Sequence, residues 1–276
     1  MERIEIALPG ARLHALQHGP QAGSPVLCIP GLSANAHSFD ALAVKLAASG
    51  RRVVAVDLRG RGRSPAGGVG SHGWRRHAED LLAAADALGF RAFDLVGHSM
   101  GAFVAMQAAA LGQDRVRRLV LIDGAGRPEA AVVAPILAGL ERLETIHPSA
   151  DEYAAMIRLQ GAAVPWAELW ERHYREELER VPGGVRPRTS KAAVLEDVRY
   201  GATHDPRAFW PALRMPTLLL RATWPLLPGT GFVVGAALRD EFAAEVPSAR
   251  VVEVPANHYG VMAEPSGLAA IEQFLA

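Results

Sequence analysis

The chain has 276 residues, half of them hydrophobic, so it is long enough to bury a substantial core. Its 29 Lys and Arg residues balance its 29 Asp and Glu residues, which argues against a nucleic-acid-binding protein and against a polybasic membrane-binding protein. Because Cys28 is the single cysteine, an intrachain disulfide and a zinc site built from cysteines are excluded.

The first half of the chain predicts strands that alternate with helices. Alternating segments at residues 4–8 and 12–17, separated by a Pro-Gly turn, predict an antiparallel hairpin. The predicted strands that follow are residues 25–29, 52–56, 93–96 and 116–122, and the predicted helices are residues 39–48, 74–88 and the segment after residue 101. This alternation predicts a parallel sheet with helices on both faces. We expect Arg59, Arg61 and Arg63 to lie on a solvated loop after the strand at 52–56.

The alternation stops between residues 127 and 205. Helical segments and no strand are predicted there, at residues 129–144, 149–160, 166–179 and 191–203. The alternation resumes with strands at 217–220 and 249–254 and a helix at 265–275. We therefore predict a core domain of residues 1–126 and 206–276, with residues 127–205 inserted as a helical cap that covers a site as a lid.

The pentapeptide Gly97-His98-Ser99-Met100-Gly101 lies between a predicted strand and a predicted helix. A nucleophile on so tight a turn needs neighbours without side chains, and Gly97 and Gly101 satisfy this requirement. The turn also aims backbone N–H groups at the point where negative charge develops during acyl transfer. The pattern predicts Ser99 as a nucleophile.

Further segments extend this motif to a resemblance that covers essentially the whole chain. They are Pro30-Gly31-Leu32 and residues 57–64, 216–220 and 254–260. With these segments the chain resembles the α/β-hydrolase fold superfamily, in particular its capped, esterase- or lactonase-like serine hydrolases. The resemblance implies a mostly parallel eight-stranded sheet with a helical cap inserted after strand 6. It also implies His258 as the general base for Ser99, and a two-amide oxyanion hole formed by the N–H groups of Leu32 and Met100.

The acid of the catalytic triad departs from the common pattern of this family. Its members usually carry an aspartate just after the seventh strand, but residues 221–228 contain no carboxylate. A subset of the family places the acid after the sixth strand, where this chain has Asp123. The resemblance therefore implies that Asp123 holds the His258 imidazole in the required tautomer. Two alternatives remain for the acid: a cap carboxylate such as Asp197 or Asp205, or a catalytic dyad that has no acid.

Four aromatic residues are the candidates for contacts with a substrate: Tyr153, Trp166, Trp170 and Trp224. Trp166 and Trp170 lie one helical turn apart, a spacing that also suits packing of the cap on the core. We expect His98 to point away from the exposed side of its turn. His72 and His77 lie near the start of a helix, where they line a pocket or cap that helix.

These residues predict a serine hydrolase that cleaves a small-molecule carboxylic ester or lactone through an acyl-enzyme on Ser99. The same residues would also serve a C–C bond hydrolase or an acyltransferase, and a non-catalytic ligand-binding homologue stays open. No H-E-x-x-H pattern occurs, so we expect no metal and no cofactor. We expect a cytoplasmic monomer or homodimer without a nucleic-acid or membrane partner, since the sequence shows neither a signal peptide nor a membrane-spanning apolar segment.

Overall fold

The computed structural model describes residues 1–112 and 114–276. In this part of the chain, eight strands form one sheet: β1 (Glu2–Leu8), β2 (Ala11–His18), β3 (Ser24–Ile29), β4 (Arg51–Val56), β5 (Phe93–His98), β6 (Val116–Ile122), β9 (Thr217–Ala222) and β10 (Ala249–Val254). Their order in the sheet is β1-β2-β4-β3-β5-β6-β9-β10. β2 pairs antiparallel with β1 and β4, and the other neighbours are parallel. The predicted sheet is confirmed.

Helices cover both faces of this sheet. They are α1 (Asp40–Ala48), α2 (Trp74–Ala87), α3 (Met100–Leu111), α8 (Ala236–Glu245) and α9 (Pro265–Leu275), with α4 (Ala130–Ala138), α5 (Ala150–Leu159), α6 (Glu168–Glu176) and α7 (Lys191–Thr203) between β6 and β9. Leu27 and Ile29 of β3 face the layer of α2 and α3, whereas Val26 and Cys28 face the layer of α1 and α9. Every residue of β5 is buried, because a parallel strand between two helical layers exposes neither face.

The insertion after β6 differs from its prediction in one respect. We expected no strand there, but β7 (Leu178–Val181) and β8 (Gly184–Pro187) form an antiparallel ribbon. Gly183, with φ 90°, supplies the left-handed conformation of its turn. Each strand has four residues, too few to show a clear period of two in the sequence. The domain boundaries at residues 127 and 205 stay a prediction.

The loop after β4 also differs from its prediction. Arg63 is exposed, but the side chains of Arg59 and Arg61 are buried, so the expectation of a solvated loop is wrong for these two residues. Arg59 pairs with Asp80 of α2, and Arg61 pairs with Asp197 of α7. A buried guanidinium requires such a partner.

Within residues 1–112 and 114–276, no helix has the length and apolar character needed to cross a membrane.

Candidate active site

Ser99 lies on the turn between β5 and α3, at the carboxyl edge of the sheet. Its backbone has φ 56° and ψ −124°, a strained conformation for a residue with a side chain. The Ser99 N–H donates to the Ile122 carbonyl oxygen at 2.9 Å, which ties the turn to β6. A Cβ atom on Gly101 would lie 2.6 Å from the Pro30 carbonyl oxygen, and one on Gly97 would lie 2.7 Å from Ala102 Cα. Both glycines are therefore required for the close approach of strand, turn and helix.

Three side chains from three elements meet at this turn. The Nε2 atom of His258 lies 2.9 Å from Ser99 Oγ, and its Nδ1 atom lies 2.8 Å from Asp123 Oδ2. His258 and Asp123 are 4% and 1% exposed, whereas Ser99 is half-buried. An imidazole held between a hydroxyl and a buried carboxylate can accept a proton from the hydroxyl while its other nitrogen donates to the carboxylate.

The position of Asp123 follows from the sheet order. Asp123 comes directly after β6, and its N–H donates to the Leu220 carbonyl oxygen of the neighbouring β9 at 2.8 Å. Its backbone has φ 44°, in the left-handed region that aspartate tolerates better than most residues. Its Oδ1 atom accepts the Ala222 N–H at 3.0 Å, so the carboxylate orientation is fixed and Oδ2 faces His258.

The two cap carboxylates considered as alternatives have other partners. Asp197 accepts hydrogen bonds from Arg61 and from the His77 Nε2 atom. Asp205 begins a short 3-10 helix, where its side chain accepts the Arg207 N–H. Asp123 alone of the three candidate acids is within hydrogen-bonding distance of His258, and its catalytic role remains our hypothesis.

The loop that carries His258 is held from two sides. The His98 Nε2 atom donates to the His258 carbonyl oxygen at 2.9 Å, and the two rings lie 4.7 Å apart. Burial, together with the nearby His258, lowers the pKa of His98 well below its usual value, so this ring is a neutral donor. Asn257 Oδ1 accepts the N–H groups of Val164 and Gly260 at 2.9 and 2.8 Å. Neither contact was predicted from the sequence, where the adjacency of Asn257 to His258 is the available signal.

The proposed oxyanion donors lie on the two segments that flank Ser99. Met100 is the first residue of α3, where helix geometry leaves the N–H without an intrahelical acceptor. On the other side, a Cβ on Gly31 would lie 3.3 Å from Ser99 Cβ, so the lack of a side chain brings the Gly31–Leu32 peptide close to the nucleophile. Asn35 begins the short helix at Ala36–Phe39 and accepts the His37 N–H, a capping role.

The aromatic candidates occupy different environments. Tyr153 of α5 and Trp170 of α6 are 0% and 1% exposed, and both belong to a hydrophobic cluster that also contains core residues such as Phe39. The Trp166 ring stacks on Tyr174 at 6.3 Å. Trp224 is 41% exposed, and its backbone N–H donates to the Ala256 carbonyl oxygen. Their contact with a substrate stays a prediction, and the burial of Tyr153 and Trp170 is consistent with packing.

An arginine of the insertion, which the sequence analysis did not single out, lies against the loop after Leu32. Arg142 donates to Ser33 Oγ at 3.2 Å, to Tyr153 Oη at 2.6 Å and to Glu177 Oε1 at 2.8 Å. Burial raises the pKa of Glu177, although the positive charge of Arg142 opposes this rise. The second carboxylate oxygen of Glu177 is buried without a partner among the described residues.

His72, in the loop before α2, and His77, in the first turn of α2, both contact α7 of the insertion. His72 Nδ1 lies 2.9 Å from Glu196 Oε2, and His77 Nε2 lies 3.0 Å from Asp197 Oδ2. Burial lowers the pKa of His77. In the described part of the chain, no group of three or more His, Cys, Asp or Glu side chains has an arrangement that could hold a metal ion.

Comparisons with known proteins extend these observations. The sequence profile described as alpha/beta hydrolase fold matches residues 24–265. The chain is similar to RutD of Variovorax paradoxus (strain S110), which is named as a carbamate hydrolase, with 32% identity over 70% of this chain and 75% of that protein. N-formylmaleamate deformylase of Pseudomonas putida (strain KT2440) is 34% identical over 54% of this chain and 57% of its own length. The crystal structure of E-2-(acetamidomethylene)succinate hydrolase superposes with a TM-score of 0.88 at 25% identity, over 99% of this chain and 98% of that one.

Proposed function

Because the chain belongs to the α/β-hydrolase fold family, we propose that it is a serine hydrolase that cleaves a small-molecule carboxylic ester or lactone through an acyl-enzyme. One observation carries this proposal: Ser99 Oγ lies 2.9 Å from His258 Nε2, and His258 Nδ1 lies 2.8 Å from Asp123 Oδ2. A serine hydroxyl is a weak nucleophile at neutral pH, and this contact supplies the adjacent base that it needs.

In the proposed first half-reaction, Ser99 Oγ attacks the substrate carbonyl carbon as its proton passes to His258 Nε2. The resulting imidazolium is stabilised by Asp123, and the negative charge on the substrate oxygen is stabilised by the N–H groups of Leu32 and Met100. His258 then returns the proton to the oxygen of the leaving alcohol as the C–O bond breaks. For a lactone, this alcohol remains attached to the acyl group on Ser99.

In the second half-reaction, His258 removes a proton from water, which attacks the acyl-enzyme carbonyl. The tetrahedral intermediate collapses, the acid leaves, and the proton on His258 returns to Ser99 Oγ. Trp224, exposed beside the His258 loop, together with Trp166, Tyr153 and Trp170, is proposed to set the shape of the substrate site. No cofactor takes part in this scheme. We propose that the protein acts as a monomer or homodimer.

A second candidate function keeps these residues and breaks a C–N bond. The three relatives described above carry names that refer to carbamate, formyl and acetamido groups, so an amide or formamide is the alternative substrate. Two of those names also denote carboxylates. Arg142 favours this candidate, because its guanidinium contacts Ser33, the residue after the proposed oxyanion donor Leu32. A guanidinium in this position is suited to hold a substrate carboxylate.

The proposal is tested by hydrolysis of a panel of p-nitrophenyl esters, simple lactones, N-formyl and N-acetyl amides, and a 1,3-diketone. Wild type is compared with Ser99→Ala, and Ser49→Ala, an exposed serine at the end of α1, is the matched control. We expect turnover of esters or lactones that Ser99→Ala abolishes and Ser49→Ala retains. Turnover of the amides alone would favour the second candidate, and cleavage of the diketone alone would favour a C–C bond hydrolase.

A fluorophosphonate probe separates these enzymes from a ligand-binding homologue. We expect wild type and Ser49→Ala to be labelled and Ser99→Ala to be unlabelled. A folded wild-type protein that neither reacts with the probe nor turns over any substrate of the panel would contradict the proposed function. Product analysis in the presence of a primary alcohol detects an acyltransferase, because transfer of the acyl group to the alcohol yields a new ester in place of the free acid.

A further inference from the structure

The peptide that carries the Leu32 N–H is part of a tight turn. The Ala34 N–H donates to the Gly31 carbonyl oxygen at 3.2 Å. The carbonyl of Gly31 and the N–H of Leu32 belong to one peptide unit, and in a trans peptide they point in opposite directions. The turn hydrogen bond therefore orients the Leu32 N–H away from Ala34. Since Leu32 lies in a turn outside any helix or strand, contacts with other segments are needed to hold this orientation.

The side chain of Arg61 supplies a contact on the other side of Leu32, at the Leu32–Ser33 peptide. Its Nε atom donates to the Leu32 carbonyl oxygen at 3.0 Å, its Nη1 atom donates to the Arg59 carbonyl oxygen at 2.8 Å, and its Nη2 atom donates to Asp197. The guanidinium is planar, so three donors used at once fix its orientation as well as its position. Arg61 is 0% exposed, so its hydrogen bonds lie in a low-dielectric environment where they are electrostatically stronger than in water.

Asp197 comes from α7, within the insertion between β6 and β9. Besides Arg61, it accepts the Gly73 N–H at 2.6 Å and a hydrogen bond from His77 Nε2. Burial would raise the pKa of Asp197, but hydrogen bonds from His77 and from the Gly73 N–H and the positive charge of Arg61 lower this pKa to about 2. The carboxylate is thus ionised at neutral pH and balances the charge of the buried guanidinium.

We infer that Arg61, oriented by Asp197, is a positioning residue. By holding the Leu32 carbonyl it restrains the backbone of Leu32 and, together with the Ala34–Gly31 turn hydrogen bond, keeps the Leu32 N–H in the geometry required of an oxyanion donor. This inference rests on the proposed function and adds a role for the insertion. Through Asp197, α7 contributes to the geometry of the proposed reaction site. A displaced oxyanion donor weakens stabilisation of the transition state more than binding of the substrate, so the effect falls on kcat.

The test compares Arg61→Met and Arg61→Lys with Arg59→Met. Arg59 is the matched control because it belongs to the same loop and forms a buried ion pair, with Asp80, but its side chain does not contact Leu32. A donor displaced by about 1 Å costs roughly 10²-fold in rate. We expect each Arg61 variant to lose about that much kcat on the best ester, with KM changed less than about threefold. Arg59→Met should lose stability but keep its kcat within about threefold.

The second readout is the crystal structure of Arg61→Lys. This variant keeps a positive charge for Asp197 and is expected to fold even where Arg61→Met does not. We expect the Leu32 peptide to be turned or displaced relative to Ser99, while the Ser99, His258 and Asp123 contacts are retained. A Leu32 peptide in its original position, or a kcat within about threefold of wild type, would overturn the inference. Absence of Ser99-dependent turnover in wild type would instead contradict the proposed function, and the Leu32 position would still decide the inference.

Discussion

Replacing Asp123 by asparagine changes which nitrogen of His258 carries the ring proton. In the wild-type site, Asp123 Oδ1 accepts the Ala222 N–H at 3.0 Å and Oδ2 lies 2.8 Å from His258 Nδ1. Asparagine has one oxygen and one NH₂ group. When the oxygen faces Ala222, the NH₂ group donates to His258 Nδ1, so the ring proton moves to Nε2. An Nε2–H group cannot accept the Ser99 proton, and the base is lost.

The opposite orientation of the asparagine amide is unfavourable. It would place the NH₂ group against the Ala222 N–H, two donors facing each other inside a buried site. The backbone is not the reason for the loss, since asparagine tolerates the φ of 44° at this position as well as aspartate does. The corresponding change in serine proteases lowers kcat about 10⁴-fold, and we expect a similar loss here, about 5.5 kcal/mol of transition-state stabilisation.

The assay measures kcat for the best ester substrate in wild type, Asp123→Asn and Asp205→Asn. Asp205 is the control because it caps a 3-10 helix and makes no contact with His258, so its variant should keep kcat within about threefold. Thermal denaturation verifies that Asp123→Asn is folded. A folded Asp123→Asn enzyme with a kcat within tenfold of wild type would refute the tautomer argument. An equal loss in Asp205→Asn would point to the cap carboxylate instead.

Two further predictions concern stability. Gly101→Ala places a Cβ 2.6 Å from the Pro30 carbonyl oxygen, so we expect a loss of more than about 3 kcal/mol in the free energy of unfolding, measured by urea denaturation. Gly68→Ala is the control, since a Cβ at Gly68 has no atom within 4 Å and this variant should denature like wild type. Burial and the charge of Arg142 lower the pKa of His173 to about 3, so the unfolded state binds a proton below about pH 6.5 that the folded state excludes. The free energy of unfolding of wild type should therefore fall as the pH drops from about 6.5 towards 3, by up to about 1.4 kcal/mol per pH unit from this residue. In His173→Gln the free energy of unfolding should fall less steeply over this range, and parallel curves for the two proteins would contradict the assignment.

The parts of the site that sequence analysis predicted are local. Gly97, Ser99 and Gly101 are neighbours in the chain, and their spacing predicts the tight turn because backbone sterics within five residues determine it. The central strands were also predicted, since strands buried on both faces appear as continuous apolar runs. The ribbon β7–β8 was missed because its strands of four residues carry no such pattern.

The choice among the acidic candidates depended on tertiary structure. Asp123, Asp197 and Asp205 are all far from His258 in the chain, and no sequence pattern ranks their distances to its imidazole. The pairing of β6 with β9, and of β9 with β10, brings the ends of these strands together and sets Asp123 beside His258. Asp197 instead meets Arg61, a residue that the sequence analysis assigned to solvent.

The sequence by itself determined the fold class and the turn at Ser99, because both depend on apolar runs and on glycines close to one another in the chain. Only the tertiary structure decided which carboxylate lies against His258 and which arginine lies against Leu32. The physical reason is that these contacts join residues 135 and 29 positions apart, and their geometry is set by strand order and by the burial of charges rather than by any local pattern.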